Sequence, residues 1–183
     1  MCEHALPLGP RPIVRAGAAA RVLVVGQAPG LRVHETGIPW NDRSGDRLRE
    51  WLGVDRETFY REDLFAIVPM GFCYPGRDPR GGDLPPREEC APLWVSRLLA
   101  ALPNIRCRVL AGWHGQRFHL ADRAKKNLTE TVRAWRAYAP ETFVLPHPSF
   151  RNQMWLKRNP WFAEETLPAL RARIAEILGE EGA

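Results

Sequence analysis

Residues 21–30 read Arg21-Val-Leu-Val-Val25-Gly26-Gln-Ala-Pro-Gly30: four consecutive apolar residues that run straight into a turn bounded by glycine and stiffened by proline. An apolar run without polar alternation suits a strand covered on both faces. GQAPG is the punctuation that stops it. The same arrangement recurs three times downstream. LFAIV (64–68) leads into GFCYPG (71–76), CRVLA (107–111) into GWHG (112–115), and TFVL (142–145) into PHPSFRN (146–152).

Helical spacing fills the intervals. Residues 45–52 place Leu48, Trp51 and Leu52 on one face, with Ser44 as the expected cap, and Asp55 is placed to cap a short helix through Tyr60. Helices are also expected over 88–102, 116–121 and 129–138. A last amphipathic helix reaches Leu178, with Leu170, Ile174 and Ile177 apolar and Pro168 near its start. Strand–helix alternation of this kind predicts an α/β fold on a four-stranded, mainly parallel sheet. Parallel strands put all four following loops on one edge, where open α/β sheets bind ligands.

With 183 residues the chain is read as one domain over 1–183, residues 1–17 forming an N-terminal loop segment. A hydrophobic share of 45% is enough to build a core and argues against intrinsic disorder. No apolar run approaches the roughly 18–20 residues of a membrane span. MCEHALPLGPRP lacks the basic start and apolar stretch of a secretory signal, so an intracellular, cytoplasmic protein is expected. The balance of 26 Lys+Arg against 21 Asp+Glu leaves a net +5, which favours polyanionic partners. Cys2, Cys73, Cys90 and Cys107 are expected to be free or metal-bound rather than paired as disulfides.

Three segments carry candidate chemistry. Gly26-Gln27-Ala28-Pro29-Gly30 can aim backbone N–H groups at a carbonyl or phosphate, and it can equally be a plain tight turn. His147-Pro148-Ser149-Phe150-Arg151-Asn152 presents an imidazole on a rigid loop at a strand end, or packs that histidine structurally. Ser149, Arg151 and Asn152 are suited to phosphates, base edges or a groove. Between the first strand and its helix, Trp40 offers a stacking face and Asn41 and Asp42 polar contacts, or Trp40 caps the core and Asp42 a turn. After His147, Arg151, Lys157 and Arg158 are interleaved with Trp155, Trp161 and Phe162 without an acidic residue up to position 162, a pattern suited to a nucleic-acid backbone and its bases. The same stretch also reads as a helix start, with Asn159 as cap and Pro160 in the first position.

Taken together, GQAPG and HPSFRN resemble the two defining motifs of the uracil-DNA glycosylase superfamily, and the resemblance runs from about Leu6 to Leu178. GQAPG is similar to the GEAPG of the iron–sulfur (family 4) branch. ETGIPWNDRSGDRLREWL and CYPGRDPRGGDLPPREECAPLW resemble further segments of that branch, and HPSFRN resembles the HPSPRN of the single-strand-selective branch. The resemblance implies a three-layer α/β/α fold with helices on both faces of the four-stranded sheet, and a monofunctional glycosylase that flips uracil, or a related deaminated base, out of DNA and hydrolyses its N-glycosidic bond to leave an abasic site. It implies that His147 donates a hydrogen bond to the developing charge on uracil O2, with backbone groups near Gln27 assisting. It also implies that Trp40 stacks on the base, that Gly26, Ala28, Pro29, Gly30 and Asn41 surround it, and that Ser149, Phe150, Arg151, Asn152, Lys157 and Arg158 meet the DNA, Arg151 filling the emptied stack.

Three features depart from the family pattern. Ala28 stands where one branch has its water-activating aspartate, so Asp42 is the expected substitute. Pro69 replaces a family 4 asparagine that reads the uracil edge. Family 4 holds a [4Fe–4S] cluster on four cysteines; Cys73 and Cys90 match its later pair and Cys2 one of the earlier pair, while Cys107 reads as a buried core thiol. No cofactor is therefore expected, the alternative being a cluster completed by residues upstream of Met1. A monomer acting on uracil-containing DNA at the nucleoid is the expected biology. The alternatives are a catalytically inactive nucleic-acid-binding protein on the same fold and a small α/β enzyme binding a nucleotide at GQAPG.

Overall fold

The computed structural model describes residues 2–179. Val22–Val25 (β1), Phe65–Ile67 (β2), Cys107–Ala111 (β3) and Thr142–Leu145 (β4) form one sheet in the order β2-β1-β3-β4, with every neighbouring pair parallel. All residues of β1, β2 and β4 are buried, and β3 exposes only Arg108. That is why these strands read as unbroken apolar runs rather than alternating ones. One antiparallel bridge joins Arg15 to Ile67, and the Ile13 N–H donates to the Phe72 carbonyl at 2.8 Å, so the segment before β1 runs beside β2. From β1 the chain steps to one side for β2 and returns to the other side for β3. The carboxyl ends of β1 and β3 therefore flank a topological switch point, the crevice where open sheets hold ligands.

Among the described residues there are eight α-helices: Leu31–Thr36 (α1), Arg43–Leu52 (α2), Arg56–Phe59 (α3), Ser96–Ala100 (α4), Trp113–Leu120 (α5), Leu128–Arg133 (α6), Gln153–Arg158 (α7) and Leu167–Gly179 (α8). Helix α2 buries Leu48, Trp51 and Leu52 and packs on α8, which contributes Leu167, Leu170, Ile174 and Ile177. Its cap is Asp42, not Ser44: the Asp42 carboxylate accepts from the Gly45 N–H at 2.8 Å, the reach a cap makes to the third residue beyond it. Asp55 caps α3 through the Thr58 N–H as expected.

Several expected boundaries are corrected. Helix α1 stands in a stretch for which no helix was expected, and α7 ends just before the helix start expected at Asn159 and Pro160. Helix α5 begins at Trp113 rather than Gln116. Residues 88–102 hold a π-helical turn, Ala91–Val95, followed by the short α4. Residues 129–138 split between α6 and a 3-10 turn, Trp135–Ala137. The closing helix is entered through a second π-helical turn, Phe162–Thr166, so Pro168 lies inside a longer helical stretch. Proline has no N–H to return to the preceding turn, and a π turn is one way to absorb the missing bond. No helix among the described residues is long and apolar enough to cross a membrane.

Candidate active site

The GQAPG loop leaves the end of β1 and is tied to the segment after β2. The Met70 N–H donates to Gly26 O at 3.1 Å and the Gly71 N–H to Gln27 O at 2.8 Å. Gly26 has no room for a side chain, because a Cβ there would stand 2.8 Å from Trp40 Cζ2. The indole of Trp40 thus lies against the loop. Trp40 itself has φ of 56°, a left-handed conformation that bulky residues rarely adopt. Two neighbours hold it: a Cβ on Gly45 would overlap the Trp40 carbonyl, and the buried Arg49 donates to that carbonyl at 3.2 Å.

His147 leaves β4 beside this wall, its ring centroid 5.5 Å from that of Trp40. The Ser149 N–H donates to His147 Nδ1 at 3.2 Å, so Nδ1 is an acceptor and the proton of the neutral ring resides on Nε2. Burial pushes the imidazole down to about 4, outweighing the Asp42 charge, which acts the other way. Asn152 donates through Nδ2 to the His147 carbonyl at 2.7 Å, and the Arg151 N–H donates to Ser149 Oγ at 3.2 Å, so the HPSFRN loop is cross-braced from within. Two longer braces come from outside it. Arg47 of α2 donates to Ser149 O at 3.3 Å. Gln116 of α5, fully buried, donates to Leu110 O and Leu145 O, joining the ends of β3 and β4 just before His147.

Arg151 reaches across the mouth and donates to Gly81 O at 2.6 Å. Gly81 belongs to a tight hairpin in which Arg77 bridges Asp83, the Gly81 N–H donates to Asp78 O and the Leu84 N–H to Gly76 O. A Cβ on Gly82 would overlap Arg151 Nη1, so glycine there allows the contact.

These pieces enclose a cavity of about 340 Å³, near the lower end of the roughly 300–1,000 Å³ of small-molecule sites. Of the residues expected at the site, Gly26, Gln27, Ala28, Pro29, Gly30, Trp40 and Asp42 line the cavity together with His147, Ser149, Arg151 and Asn152. Pro69 lines it as well. Asn41 is not among the lining residues; its Oδ1 accepts from Arg56 at 2.9 Å. Phe150 lies outside the cavity, exposed, with Arg47 stacked 4.1 Å from its ring centroid. Lys157 and Arg158 sit exposed in the last turn of α7, also outside it. The sequence reading missed Ser44, Gly82, Asp83 and Leu84 as lining residues. It also missed a second, more open cavity of about 380 Å³ that shares Gln27, His147 and Asn152 with the first and adds Trp113 and Lys126. Only the apposition of distant loops reveals these.

Among the described residues four thiols do not come together: Cys2, Cys73 and Cys90 lie within reach of one another's charge, and Cys107 lies apart. Burial pushes the Cys73 and Cys90 thiols up, and the charge of Cys2 adds to the effect at both. Cys107 opens β3, at the strand end opposite the loops, and burial pushes it to about 12. Among the described residues no group of three or more His, Cys, Asp or Glu is placed to hold a metal.

A family model described as the uracil DNA glycosylase superfamily matches residues 15–171, a span that takes in every strand and both motif loops. The chain belongs to the uracil DNA glycosylase superfamily.

Proposed function

We propose that this protein excises uracil, or a related deaminated base, from DNA by hydrolysing the N-glycosidic bond and leaving an abasic site. The observation that carries this reading is the meeting of GQAPG and HPSFRN, more than a hundred residues apart in the chain, on the walls of one base-sized cavity. A base inside a duplex cannot reach such a cavity unless it is flipped out, at a cost of a few kcal/mol that is least at mismatches and in single strands.

As the glycosidic bond breaks, the sugar becomes cation-like and the base leaves as an anion. His147, with Nδ1 occupied by the Ser149 N–H, offers Nε2–H to the charge growing on the base oxygen. Backbone N–H groups around Gln27 are the other donors. A donor fixed before the reaction and aimed at developing charge is worth about 100-fold or more in rate. A neutral imidazole fits this task, because the ring donates a hydrogen bond without surrendering its proton. Trp40 supplies the flat face for the base. Ser149 and Asn152 meet the flanking backbone, Arg151 takes the place of the flipped base, and Phe150, Lys157 and Arg158 extend the contact outward. Pro69 can offer no side-chain hydrogen bond to the base edge, so discrimination falls to backbone groups and the preferred base can differ from that of family 4. The chain acts as a monomer.

The test is incubation with end-labelled DNA carrying U:A, U:G, single-stranded U or hypoxanthine, followed by alkali. Strand breaks at the modified base are the expected result, with His147→Ala reducing cleavage about 100-fold while changing binding little. Binding without breaks in any substrate would overturn the proposal in favour of a non-catalytic nucleic-acid binder, the role that Ala28 and Pro69 otherwise suit.

A further inference from the structure

We propose that Asp83 is the carboxylate that holds and deprotonates the attacking water, an inference that rests on the glycosylase reading above. Hydrolysis needs an acceptor for the water proton, and Ala28 cannot be one. Two carboxylates line the cavity, Asp42 and Asp83. Asp42 has Oδ1 engaged by the Gly45 N–H as the cap of α2. Among the described residues the Asp83 carboxylate accepts no hydrogen bond from a side chain or backbone group.

Its side chain is exposed, and its backbone is held in place. Asp83 sits in the base of the 76–84 hairpin, bridged by its backbone to Arg77. The hairpin is docked on the HPSFRN loop through Gly81 O and Arg151. On the other side Asp83 Oδ2 approaches the GQAPG loop so closely that a Cβ on Gly30 would stand 3.1 Å from it. The carboxylate thus lies beside the GQAPG loop at the edge of the cavity, with the charge of Arg151 from the HPSFRN loop acting on it. The charged groups facing it are Arg151 and Arg77, which favour its ionised form, and Asp42, which opposes it. Burial pushes its carboxyl up from the ordinary range, in the direction a proton acceptor requires.

The step balances without a further reactant. The C1′–N bond breaks and its electron pair leaves with the base, held by His147 and the loop amides. The water oxygen bonds to C1′, and its proton passes to the Asp83 carboxylate and then to solvent or the released base.

Single-turnover excision from single-stranded uracil DNA by the full chain, measured from pH 4 to 8 with Asp83→Asn, Asp83→Glu and Asp42→Asn, tests this. The wild type is expected to show an acid limb in its rate. Asp83→Asn should lose about 100-fold or more in rate and lose that limb, with DNA affinity changed less than about 3-fold. Asp83→Glu should restore the limb. An Asp83→Asn protein within about 3-fold of wild type, or one that is slow yet keeps the acid limb while Asp42→Asn abolishes it, would overturn the assignment. A wild type inert on every substrate would instead overturn the glycosylase reading itself, and this inference with it.

Discussion

The protonation state of His147 ties the site to the stability of the fold, and the size of the link can be worked out. In the unfolded chain the ring has its ordinary value of 6.5, and in the folded protein burial lowers it to about 4. The folded state therefore binds fewer protons than the unfolded state between these values. A depressed value of this kind stabilises fully above pH 6.5, and the contribution falls as pH drops toward 4. Between pH 7.5 and 5.0 the loss attributable to His147 is about 2 kcal/mol, as an upper figure because one edge of the ring faces the cavity. His119, on α5, is also lowered to about 4 by burial and adds a similar dependence of its own. The comparison must therefore be a difference of differences: urea unfolding of wild type and His147→Gln at both pH values. The wild type should lose about 1–2 kcal/mol more than the variant on acidification, while both share the His119 part. Equal losses would refute the buried neutral imidazole, and with it the assignment of the proton to Nε2 that the proposed chemistry uses.

Two further outcomes follow from close approaches in the structure. Gly82→Ala places a Cβ on Arg151 Nη1 at a residue with φ of 97°, so it should destabilise by about 1–2 kcal/mol and free Arg151 from Gly81; an unchanged urea midpoint and an unchanged ratio of excision from single-stranded to paired uracil would contradict this. Cys107, buried with its thiol pushed to about 12, should resist a disulfide reagent at pH 8 until the protein unfolds, while the partly exposed Cys2, Cys73 and Cys90 react first, as peptide mapping of the labelled protein would show; early labelling of Cys107 would contradict its place in the sheet.

The sheet was legible because each strand is a continuous apolar run closed by a turn, a pattern set by burial on both faces. Asp55 was legible as a cap because it alone precedes its helix. In Asp42-Arg43-Ser44-Gly45 two residues could cap, and only the 2.8 Å contact to the Gly45 N–H separates them. Helix α1 was not legible, since LRVHET buries just Val33 and His34 and has too little apolar face to announce itself. The two motif loops were visible because their residues are contiguous. Arg47, Gln116 and Asp83 were not, because each acts across the fold: Arg47 on a carbonyl 102 residues away, Gln116 on one 29 away, Asp83 through a hairpin held by Arg151 from 70 residues beyond Gly81. No local pattern encodes such pairings.

The bond between Arg151 and Gly81 gives the site a built-in threshold. In the folded protein Arg151 is held at the cavity mouth by a charged donor on a carbonyl, a solvent-exposed bond worth about 1 kcal/mol or less. To fill a gap in a base stack it must leave that carbonyl, so entry into DNA has to offset the lost bond as well as the unstacking of the target base, itself a few kcal/mol. The two costs add on paired uracil. On a mismatch or a single strand the second nearly vanishes, and the lost bond to Gly81 alone can be met by phosphate contacts from the surrounding arginines. The hairpin that presents Asp83 is the same one that Arg151 holds. If Arg151 enters the DNA as proposed, the loop carrying the proposed water acceptor loses the contact at Gly81, and a flipped nucleotide seated against Trp40 would have to brace that loop in its place.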